Sequence, residues 1–295
     1  MDANPLTPNL LDASGESLKL SQESFRRFAA FITRKLGIKM SENKIPMLQS
    51  RLQRRMRALG LSSIEEYKNH LFESPQAEAE LADFINAVTT NKTDFFREPH
   101  HFDFLCRTAL PSLDAAPDQP WNLKLWCAGC SSGEEPYTLS MVLAEYALQR
   151  AQFDYAILAT DVSTRVLQLA RSAVYEWERI EPVTEALRKK YLLRSRAPDR
   201  KLVRIAPELR SRVHFHPLNF MEPDYRVTDT YDVIFFRNVM IYFDKATQES
   251  VVNKLCRHLR PGGYLFVGHS ESLIGLDVPV SMVGSAVYRK NNYDE

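Results

Sequence analysis

Several features are missing from this 295-residue sequence, and each absence excludes a class of protein. No apolar stretch approaches the roughly 18 residues that a membrane-spanning helix needs, so we expect no insertion into a membrane. The first residues carry neither the basic region nor the apolar region of a secretion signal. Four cysteines are too few for a disulfide framework, which predicts a reduced, cytoplasmic protein.

An excess of one charge is also missing. Lysine and arginine total 38 residues against 37 aspartates and glutamates, for a net charge of +1. The sequence as a whole therefore gives no reason to expect electrostatic attraction to nucleic acid or to an anionic membrane.

Two of the four cysteines, Cys127 and Cys130, are spaced as C-x-x-C. A zinc site would need a second pair of Cys or His residues at short spacing, and none follows, so no metal site is predicted. A thioredoxin-like redox pair is one interpretation of the motif. The interpretation we favour is that two small residues fill a tight turn.

Apolar runs and helical patterns alternate from about residue 122 onward. The predicted strands are 123–127, 155–160, 213–217, 231–236, 263–268 and 285–289. The predicted helices are 137–150, 164–172, 182–192 and 245–259, and the last is followed by the Pro-Gly-Gly of residues 261–263. This alternation is typical of an α/β fold, in which helices cover both faces of a mostly parallel sheet.

The segment from Leu123 to Tyr137 is the most informative part of the chain. Its apolar run stops at the small residues of positions 128–133, and a helical pattern follows with Pro136 near its start. A strand, a tight turn and a helix in this order form a nucleotide-type binding unit. Glu134 and Glu135 stand where a pyrophosphate would bind and would repel it. S-adenosylmethionine, which has a sulfonium and an ammonium but no phosphate, suits this turn better than NAD.

Polar residues also follow the next three predicted strands. Asp161 follows the second strand, Asn219 the third, and Arg237 and Asn238 the fourth. Ligands bind at the carboxyl ends of parallel strands, where an acidic residue after the second strand commonly accepts the ribose hydroxyls. One such residue is common in any turn. The joint pattern predicts a binding crevice.

The first part of the chain has a different pattern. Residues 1–18 are rich in Pro, Asn and Ser, which predicts a loosely ordered tail. From Ser21 to about Ala87 apolar residues recur at helical spacing, with a helix end at Gly60. A polar stretch over 88–100, a helix to Ala109 and a loop over 111–120 follow. We therefore expect a helical domain over 19–88, a linker and connecting helix over 89–121, and an α/β domain over 122–295.

Five motifs make the sequence similar to a known family. They are TNKTDFFR at 90–97, AGCSSGEEPY at 128–137, ATD at 159–161, FRNVMIYFD at 236–244 and GHSES at 268–272. With these motifs the chain resembles the CheR-type chemotaxis receptor glutamate O-methyltransferases, which are bacterial class I enzymes dependent on S-adenosylmethionine. The resemblance covers about residue 20 to residue 290.

The resemblance implies a fold, a cofactor and a set of site residues. The fold is a Rossmann-like sheet with a small all-α N-terminal domain and a small antiparallel β insertion near 193–212. The cofactor is S-adenosylmethionine, and the product is S-adenosylhomocysteine. By motif matching, the residues expected around the cofactor are Asn91, Thr93, Arg97, Ala128, Gly129, Glu134, Asp161, Leu218, Asn219, Arg237 and Asn238. Asp161 would hold the ribose hydroxyls, Leu218 and Asn219 would face the adenine, and Arg97 and Tyr242 would lie near the point of methyl transfer.

The implied reaction needs no general base. A glutamate carboxylate has an ordinary pKa near ~4.3 and is already a nucleophile at neutral pH. The protein must align the reacting groups and exclude water. Arg97 could orient either the substrate carboxylate or the carboxylate of the cofactor. Tyr242 could donate a hydrogen bond there or simply pack on the sheet, since tyrosine commonly does both.

Five basic residues share the predicted second helix with an apolar stripe. Arg51, Arg54 and Arg57 point away from the stripe, and Lys44 and Arg55 flank it. No carboxylate lies within residues 44–61, which predicts an unpaired basic face. Such a face is often only solvated. The implied partner is the acidic helical region of a methyl-accepting chemoreceptor, so we expect these five residues to bind the substrate.

The β insertion lacks a feature that some members of the family use to bind a receptor peptide. Members of the family that grip a receptor's C-terminal peptide carry a glycine-bearing turn, and the absence of glycine between Leu192 and Val213 argues against such tethering.

Two rival functions fit the sequence less well. A nucleic-acid methyltransferase would carry Asn-Pro-Pro or Pro-Cys after the fourth strand, where this chain has Arg237 and Asn238. A catalytically silent adaptor would be expected to lack Arg97 or Tyr242. We therefore expect a monomeric enzyme that does not act on nucleic acid.

Overall fold

The computed structural model describes residues 18–114, 116, 118–197 and 200–292. The tail predicted over residues 1–18 therefore lies outside the described residues, except for its last one. The described chain divides into two compact units, one made of residues 18–31 and 40–88 and the other of residues 32–39 and 89–292.

The first unit is all α-helical. Its helices are α1 (Gln22–Leu36), of which residues 32–36 belong to the second unit, α2 (Ile45–Leu59), α3 (Ile64–Glu73) and α4 (Ala77–Val88), with a 3-10 turn at Glu42–Lys44. Gly60 ends α2 in the left-handed region, at a φ of 69°, and the side chain of Ser63 caps α3 by accepting the N–H of Glu66. Phe28 stacks on Phe84 at a ring-centroid distance of 6.1 Å in the core of this unit.

The second unit contains a seven-stranded sheet in the order β6-β2-β1-β7-β8-β10-β9. These strands are β1 (Trp121–Ala128), β2 (Phe153–Asp161), β6 (Val213–Pro217), β7 (Tyr231–Phe236), β8 (Leu259–Val267), β9 (Val280–Gly284) and β10 (Val287–Lys290). The first five strands of that order are parallel, whereas β10 runs antiparallel to both of its neighbours.

Helices and a second sheet complete this unit. The helices are α5 (His100–Phe104), α6 (Leu110–Leu113), α7 (Glu134–Ala147), α8 (Thr164–Ser172), α9 (Glu185–Tyr191), α10 (Pro207–Arg210) and α11 (Lys245–Arg257). A π-helical turn at Leu105–Ala109 joins α5 to α6, and 3-10 turns lie at Trp177–Ile180 and Met240–Tyr242. A three-stranded antiparallel sheet, in the order β3-β5-β4, comprises β3 (Val174–Glu176), β4 (Leu192–Arg194) and β5 (Leu202–Ile205).

Both faces of the large sheet are buried, as is usual for parallel strands. On β1, Leu125 and Cys127 belong to one apolar core while Trp126 and Ala128 belong to the core on the opposite face. This alternation follows from the two-residue period of a strand. The predicted α/β fold with a helical N-terminal part and an antiparallel insertion is thereby confirmed. Among the described residues, no helix is long and apolar enough to cross a bilayer.

Several predicted element boundaries were wrong. Helix α11 ends at Arg257, and Pro261-Gly-Gly lies inside β8 at an irregular point of its pairing, not in a loop before it. The chain is helical through Leu113, because the π-helical turn runs directly into α6 and Pro111 falls at the start of that helix. The insertion begins at β3, upstream of the expected residue 193. Strand β9 was missed because most of its side chains are exposed and show no apolar alternation.

Candidate functional site

The turn between β1 and α7 has the backbone conformation that its small residues permit. Gly129 and Gly133 have φ values of 87° and 99°, in the left-handed region that favours glycine. A Cβ on Gly129 would lie 2.5 Å from the Cγ2 of Val239, so no other residue fits there. The N–H groups of Gly129 and Cys130 donate to the carbonyl of Thr160, at 2.8 and 2.9 Å. The turn is therefore fixed against the carboxyl end of β2.

Asp161, the last residue of β2, is buried beside this turn with 7% of its surface exposed. One carboxylate oxygen accepts the N–H of Ser131 and the other accepts the N–H of Ser163, each at 2.9 Å. Val162 contributes a further backbone hydrogen bond, so up to three of the roughly four acceptor positions of the carboxylate are engaged. Burial raises the pKa of Asp161 above its ordinary value, although the backbone hydrogen bonds oppose this effect. Acceptor capacity remains for a hydroxyl group of a ligand.

The two glutamates at the start of α7 are each paired with an arginine. Glu134 accepts from Arg179 at 2.5 Å and from the hydroxyl of Ser132 at 2.7 Å, and its side chain is 2% exposed. Glu135 lies 3.2 Å from Arg237. The sequence alone showed the two carboxylates at this position but not their partners. Both arginines come from segments more than 40 residues away.

The segment of residues 89–98 has neither helix nor strand and is held by side chains at its carbonyl groups. The carbonyl of Asn91 accepts from the hydroxyl of Ser131 at 2.9 Å, and the carbonyl of Thr93 accepts from Arg179 at 2.7 Å. The carbonyl of Arg97 accepts from Arg237 at 2.6 Å. These bonds bring the predicted residues Asn91, Thr93 and Arg97 to the same end of the sheet as Asp161.

The side chains of Arg97 and Tyr242 are both partly exposed to solvent. The Arg97 side chain is 36% exposed, and its guanidinium makes a 3.3 Å hydrogen bond to the carbonyl of Lys92. Tyr242 is half-buried at the end of a 3-10 turn, and its carbonyl accepts the N–H of Lys39 at 2.8 Å. Arg97 therefore presents a charged group that a ligand can contact directly.

Leu218 and Asn219 follow β6 next to Asp161. The N–H of Leu218 donates to the carbonyl of Asp161 at 3.0 Å, which places Leu218 at the carboxyl end of β2. The amide of Asn219 is engaged within the protein, since it donates to the carbonyl of Lys35 at 2.7 Å and accepts the N–H of Met221 at 3.0 Å. Each polar atom of its side chain thus makes one hydrogen bond within the protein.

A cleft of about 550 Å³ adjoins this part of the site. It is lined on one side by the ends of β2 and β6 and on the other by residues 222–229. Of the predicted site residues it includes only Leu218, so the cleft is separate from Arg97 and Glu134.

Arg237 and Asn238 lie at the carboxyl end of β7 but face different surroundings. The Arg237 side chain has no exposed surface and pairs with Glu98 and Glu135, at 3.2 Å each. Arg237 could therefore lie beside a ligand through its backbone, since no atom of its side chain is accessible. Asn238 has a φ of 59° and donates from its side chain to Glu98 at 3.3 Å. Glu271 fixes its backbone by accepting its N–H at 2.8 Å.

The cysteine pair is buried within the turn. Cys127 and Cys130 are free thiols with 0% and 1% exposure, and Cys127 donates to Glu135 at 3.2 Å. Burial raises the pKa of both thiols well above the ordinary value. This supports the turn-filling interpretation over a reactive redox pair. The described residues contain no cluster of His, Cys, Asp or Glu arranged to hold a metal ion.

The basic face predicted on α2 is partly paired. Arg55 forms hydrogen bonds to both carboxylate oxygens of Glu80, at 2.9 and 2.6 Å, and contacts Asp83 at 2.9 Å. Arg51 donates to the carbonyl of Val88. The expectation that Arg51 is unpaired was therefore wrong, because α4 supplies its partner from outside the local sequence.

Two arginines of α2 remain part of an exposed basic face, as the sequence predicted. Arg54 and Arg57 are exposed, and no described residue forms an ion pair with either of them. Lys44, at the start of α2, has an interaction of its own with the protein. The surface formed by Arg54 and Arg57 is called the α2 basic patch below.

Sequence reasoning missed two residues that organise this site. Arg179 links Glu134 to the carbonyl of Thr93, and Glu98 links Arg237 to Asn238. Glu98 directly follows the TNKTDFFR motif, and this position could have marked it as a candidate site residue. Arg179 lies between two predicted helices and belongs to none of the five motifs, so the sequence did not mark it as a site residue.

Comparison with known proteins decides the family. The CheR methyltransferase SAM binding domain matches residues 91–289, and the CheR methyltransferase all-alpha domain matches residues 23–89. The chain belongs to the CheR methyltransferase family. The predicted resemblance is thus confirmed over both parts of the chain, and S-adenosylmethionine is the cofactor of its larger domain.

Relatives of this CheR family member cover nearly the whole chain. A chemotaxis protein methyltransferase of Escherichia coli strain K12 is 40% identical over 280 residues, which is 95% of each chain. Chemotaxis protein methyltransferase 2 of Pseudomonas aeruginosa is 41% identical over 91% of this chain and 93% of its own. Among solved structures, the rRNA methyltransferase aviRa of Streptomyces viridochromogenes covers 70% of this chain and 88% of its own, at 13% identity and a TM-score of 0.41. That likeness is too distant to bear on function.

The site of this CheR chain fits the cofactor of its family. Asp161 keeps acceptor capacity for a ribose hydroxyl, and Leu218 lies beside it as an apolar surface. The turn at Gly129 lets the backbone approach a ligand closely. S-adenosylmethionine supplies the activated methyl group when bound.

Proposed function

We propose that this protein transfers a methyl group from S-adenosylmethionine to glutamate side chains of chemoreceptors. The products would be glutamyl methyl esters and S-adenosylhomocysteine. The observation that carries the proposal is the similarity, over more than 90% of the chain, to chemotaxis protein methyltransferases. The acceptor capacity left on Asp161 and the exposed guanidinium of Arg97 support it.

The residues of the chain would contribute by orientation. A substrate glutamate is ionised near neutral pH, since its ordinary pKa is about 4.3, and needs no base to become a nucleophile. Arg97 would hold a carboxylate by charge-assisted hydrogen bonds, and Tyr242 would donate a hydrogen bond beside it. Holding the reacting groups in line and away from water would supply the rate enhancement.

The cofactor-binding part of the proposal uses a subset of the predicted residues. Asp161 would accept the ribose hydroxyls, Leu218 would pack on the adenine, and Asn91 and Thr93 would contribute backbone groups. Asn238, with its strained backbone, would face the cofactor at the end of β7. Arg237 and Asn219 would act by positioning neighbouring chain, since their polar groups are engaged within the protein.

Substrate recognition is assigned to the helical domain of residues 19–88. The α2 basic patch, Arg54 and Arg57, would attract the acidic helical region of a receptor. Residues 89–121 would connect this domain to the cofactor-binding domain of residues 122–295. We further propose that the enzyme acts in the cytoplasm as a monomer and does not act on nucleic acid.

The proposal is tested by incubating the protein with radiolabelled S-adenosylmethionine and membranes that contain chemoreceptors. Label should enter base-labile esters on the receptor and should be released as methanol at alkaline pH. Label in nucleic acid would favour a nucleic-acid methyltransferase, and cofactor binding without any transfer would favour a silent adaptor. Either result would contradict the proposal.

Two variants separate chemistry from binding. Arg97→Ala and Tyr242→Phe should reduce methyl transfer more than they weaken binding of S-adenosylmethionine, if both groups act at the transfer point. Loss of cofactor binding in Arg97→Ala would assign its guanidinium to the carboxylate of the cofactor instead. Isothermal calorimetry gives the affinity, and the ester assay gives the rate.

A further inference from the structure

Arg97 sits between two residues with strained backbones. Phe96 has a φ of 53° and Glu98 a φ of 55°, both in the left-handed region that residues with a Cβ rarely adopt. Each such residue raises the energy of the chain, because its Cβ comes close to the following carbonyl oxygen. Conformations of this kind persist where surrounding contacts hold them, and they cluster at functional sites.

The Glu98 side chain supplies those contacts from one side. Its carboxylate lies 3.2 Å from the guanidinium of Arg237, and it accepts the side-chain amide of Asn238 at 3.3 Å and the N–H of His269 at 3.2 Å. The side chain is only 12% exposed. Burial tends to raise the pKa of Glu98, but the charge of Arg237 and the hydrogen bond from Asn238 outweigh it and lower the pKa overall. Glu98 is therefore ionised near neutral pH.

Arg237 contacts both Arg97 and Glu98. The same NH2 group that contacts Glu98 donates to the carbonyl of Arg97 at 2.6 Å, and the other end of the guanidinium lies 3.2 Å from Glu135. The Arg237 side chain has no exposed surface. A single buried cation thus ties both Arg97 and Glu98 to the ends of β7 and α7.

We propose that Glu98 is a positioning residue that, through Arg237, holds Arg97 in its place at the site. Glu98 acts by fixing the chain at Arg97 and at its own strained position, and its carboxylate also lies 3.9 Å from the Nε of Arg97. The catalytic consequence rests on the proposed function, in which Arg97 orients a carboxylate. The structural consequence, a fixed Arg97 segment, does not rest on it.

Glu98→Gln tests the proposal because it keeps the size and the acceptor oxygen but removes the charge that faces Arg237. Asp232→Asn is a matched control. Asp232 has the same 12% side-chain exposure, pairs with Arg260 at 2.9 Å and begins β7 at the end remote from Arg237. Both variants lose one largely buried carboxylate that is paired with an arginine, so thermal stability should fall in both.

Two readouts distinguish a positioning role from a general loss of stability. In Glu98→Gln, kcat should fall about ten- to a hundred-fold, as expected when a reacting group is misplaced by about 1 Å, while the Kd for S-adenosylmethionine changes far less. Limited trypsin digestion, followed by mass spectrometry, should show faster cleavage after Lys92, which lies in the same segment but is not adjacent to the substituted residue. Asp232→Asn should show neither effect.

Glu98→Asp keeps the charge with a shorter reach and should lie between the wild type and Glu98→Gln in both readouts. If Glu98→Gln does not fold, this variant carries the test alone. Wild-type trypsin resistance after Lys92 together with a wild-type kcat, in whichever variant folds, would overturn the proposal. Should the wild-type protein transfer no methyl group at all, the proposed function fails, whereas the trypsin readout still decides whether Glu98 fixes Arg97.

Discussion

The carboxylate of Asp161 accepts the backbone N–H of Ser131 at a distance of 2.9 Å. Ser131 lies in the left-handed region at a φ of 49°, so this bond holds a strained residue of the turn that follows β1. A residue at the end of β2 thereby shapes the turn and offers its remaining acceptor capacity to a ligand. Binding and local structure depend on the same side chain.

Replacing Asp161 should therefore weaken cofactor binding. In Asp161→Asn an amide NH2 takes the place of one acceptor oxygen, and in Asp161→Ala both are lost. We expect S-adenosylmethionine to bind about 1–3 kcal/mol more weakly, with the alanine variant at the upper end, because buried donors are left unpaired. Calorimetry on protein with wild-type circular dichroism measures this. Unchanged affinity would remove Asp161 from the ribose role.

Reversing the charges of the α2 basic patch should impair substrate recognition only. Arg54→Glu combined with Arg57→Glu should lower the rate of receptor methylation without changing the Kd for S-adenosylmethionine. Wild-type activity should also weaken with added salt, since exposed charges are screened over about 8 Å at physiological ionic strength. Exposed substitutions usually alter stability by less than about 0.5 kcal/mol, so the fold should persist.

The matched control for that experiment is Lys19→Glu combined with Arg26→Glu, two exposed cations of the same unit. This control changes the net charge equally and should methylate receptor close to the wild-type rate. Equal losses in both double variants would mean that net charge alone matters. A wild-type rate in the α2 variant would mean that the substrate docks elsewhere.

Arg55 and Arg54 are neighbours, but replacing Arg55 should destabilise the protein far more than replacing Arg54. Arg55→Ala leaves Glu80, whose side chain is 3% exposed, without its bidentate partner. Removing one member of a buried ion pair costs about 3–5 kcal/mol, and we expect the lower end because the Arg55 side chain is 19% exposed. Arg54→Ala should stay within about 0.5 kcal/mol. Denaturant titrations compare the two, and similar values would contradict the assignment.

His101 should make the protein less stable in acid. Burial is the main cause that lowers its pKa to about 3, and the charge of Arg237 adds to it. Above the ordinary pKa of about 6.5 neither state binds the proton, whereas between there and 3 only the unfolded state does. The free energy of unfolding should then fall by up to about 1.4 kcal/mol per pH unit as the pH drops below 6.5.

The measurement is the pH dependence of unfolding in the wild type and in His101→Leu. The variant cannot take up a proton at this position and should lose part of the acid slope. His100, His269 and Glu98 face the same ring, so a residual slope is expected. Identical slopes in the two proteins would show that His101 is not the group responsible.

Local patterns in the sequence determined most of the fold. Apolar runs of strand length, helical spacing and capping residues such as Ser63 depend on neighbours a few residues apart, so they can be recognised without the structure. The joint occurrence of polar residues after β1, β2, β6 and β7 also predicted that they lie together, because the carboxyl ends of parallel strands meet at one edge. Asp161 and Leu218 lie as that rule predicts.

Only the tertiary structure decided what each charged side chain contacts. Arg51 and Arg55 belong to a basic helix by sequence, yet α4 supplies partners for both. Arg237 follows a strand end as a ligand-binding residue would, yet its side chain is buried between Glu98 and Glu135. Ion pairs form between residues far apart in the chain, and burial of a charge is favourable only when its partner is present. No local pattern carries that information, because it depends on packing that brings distant segments together.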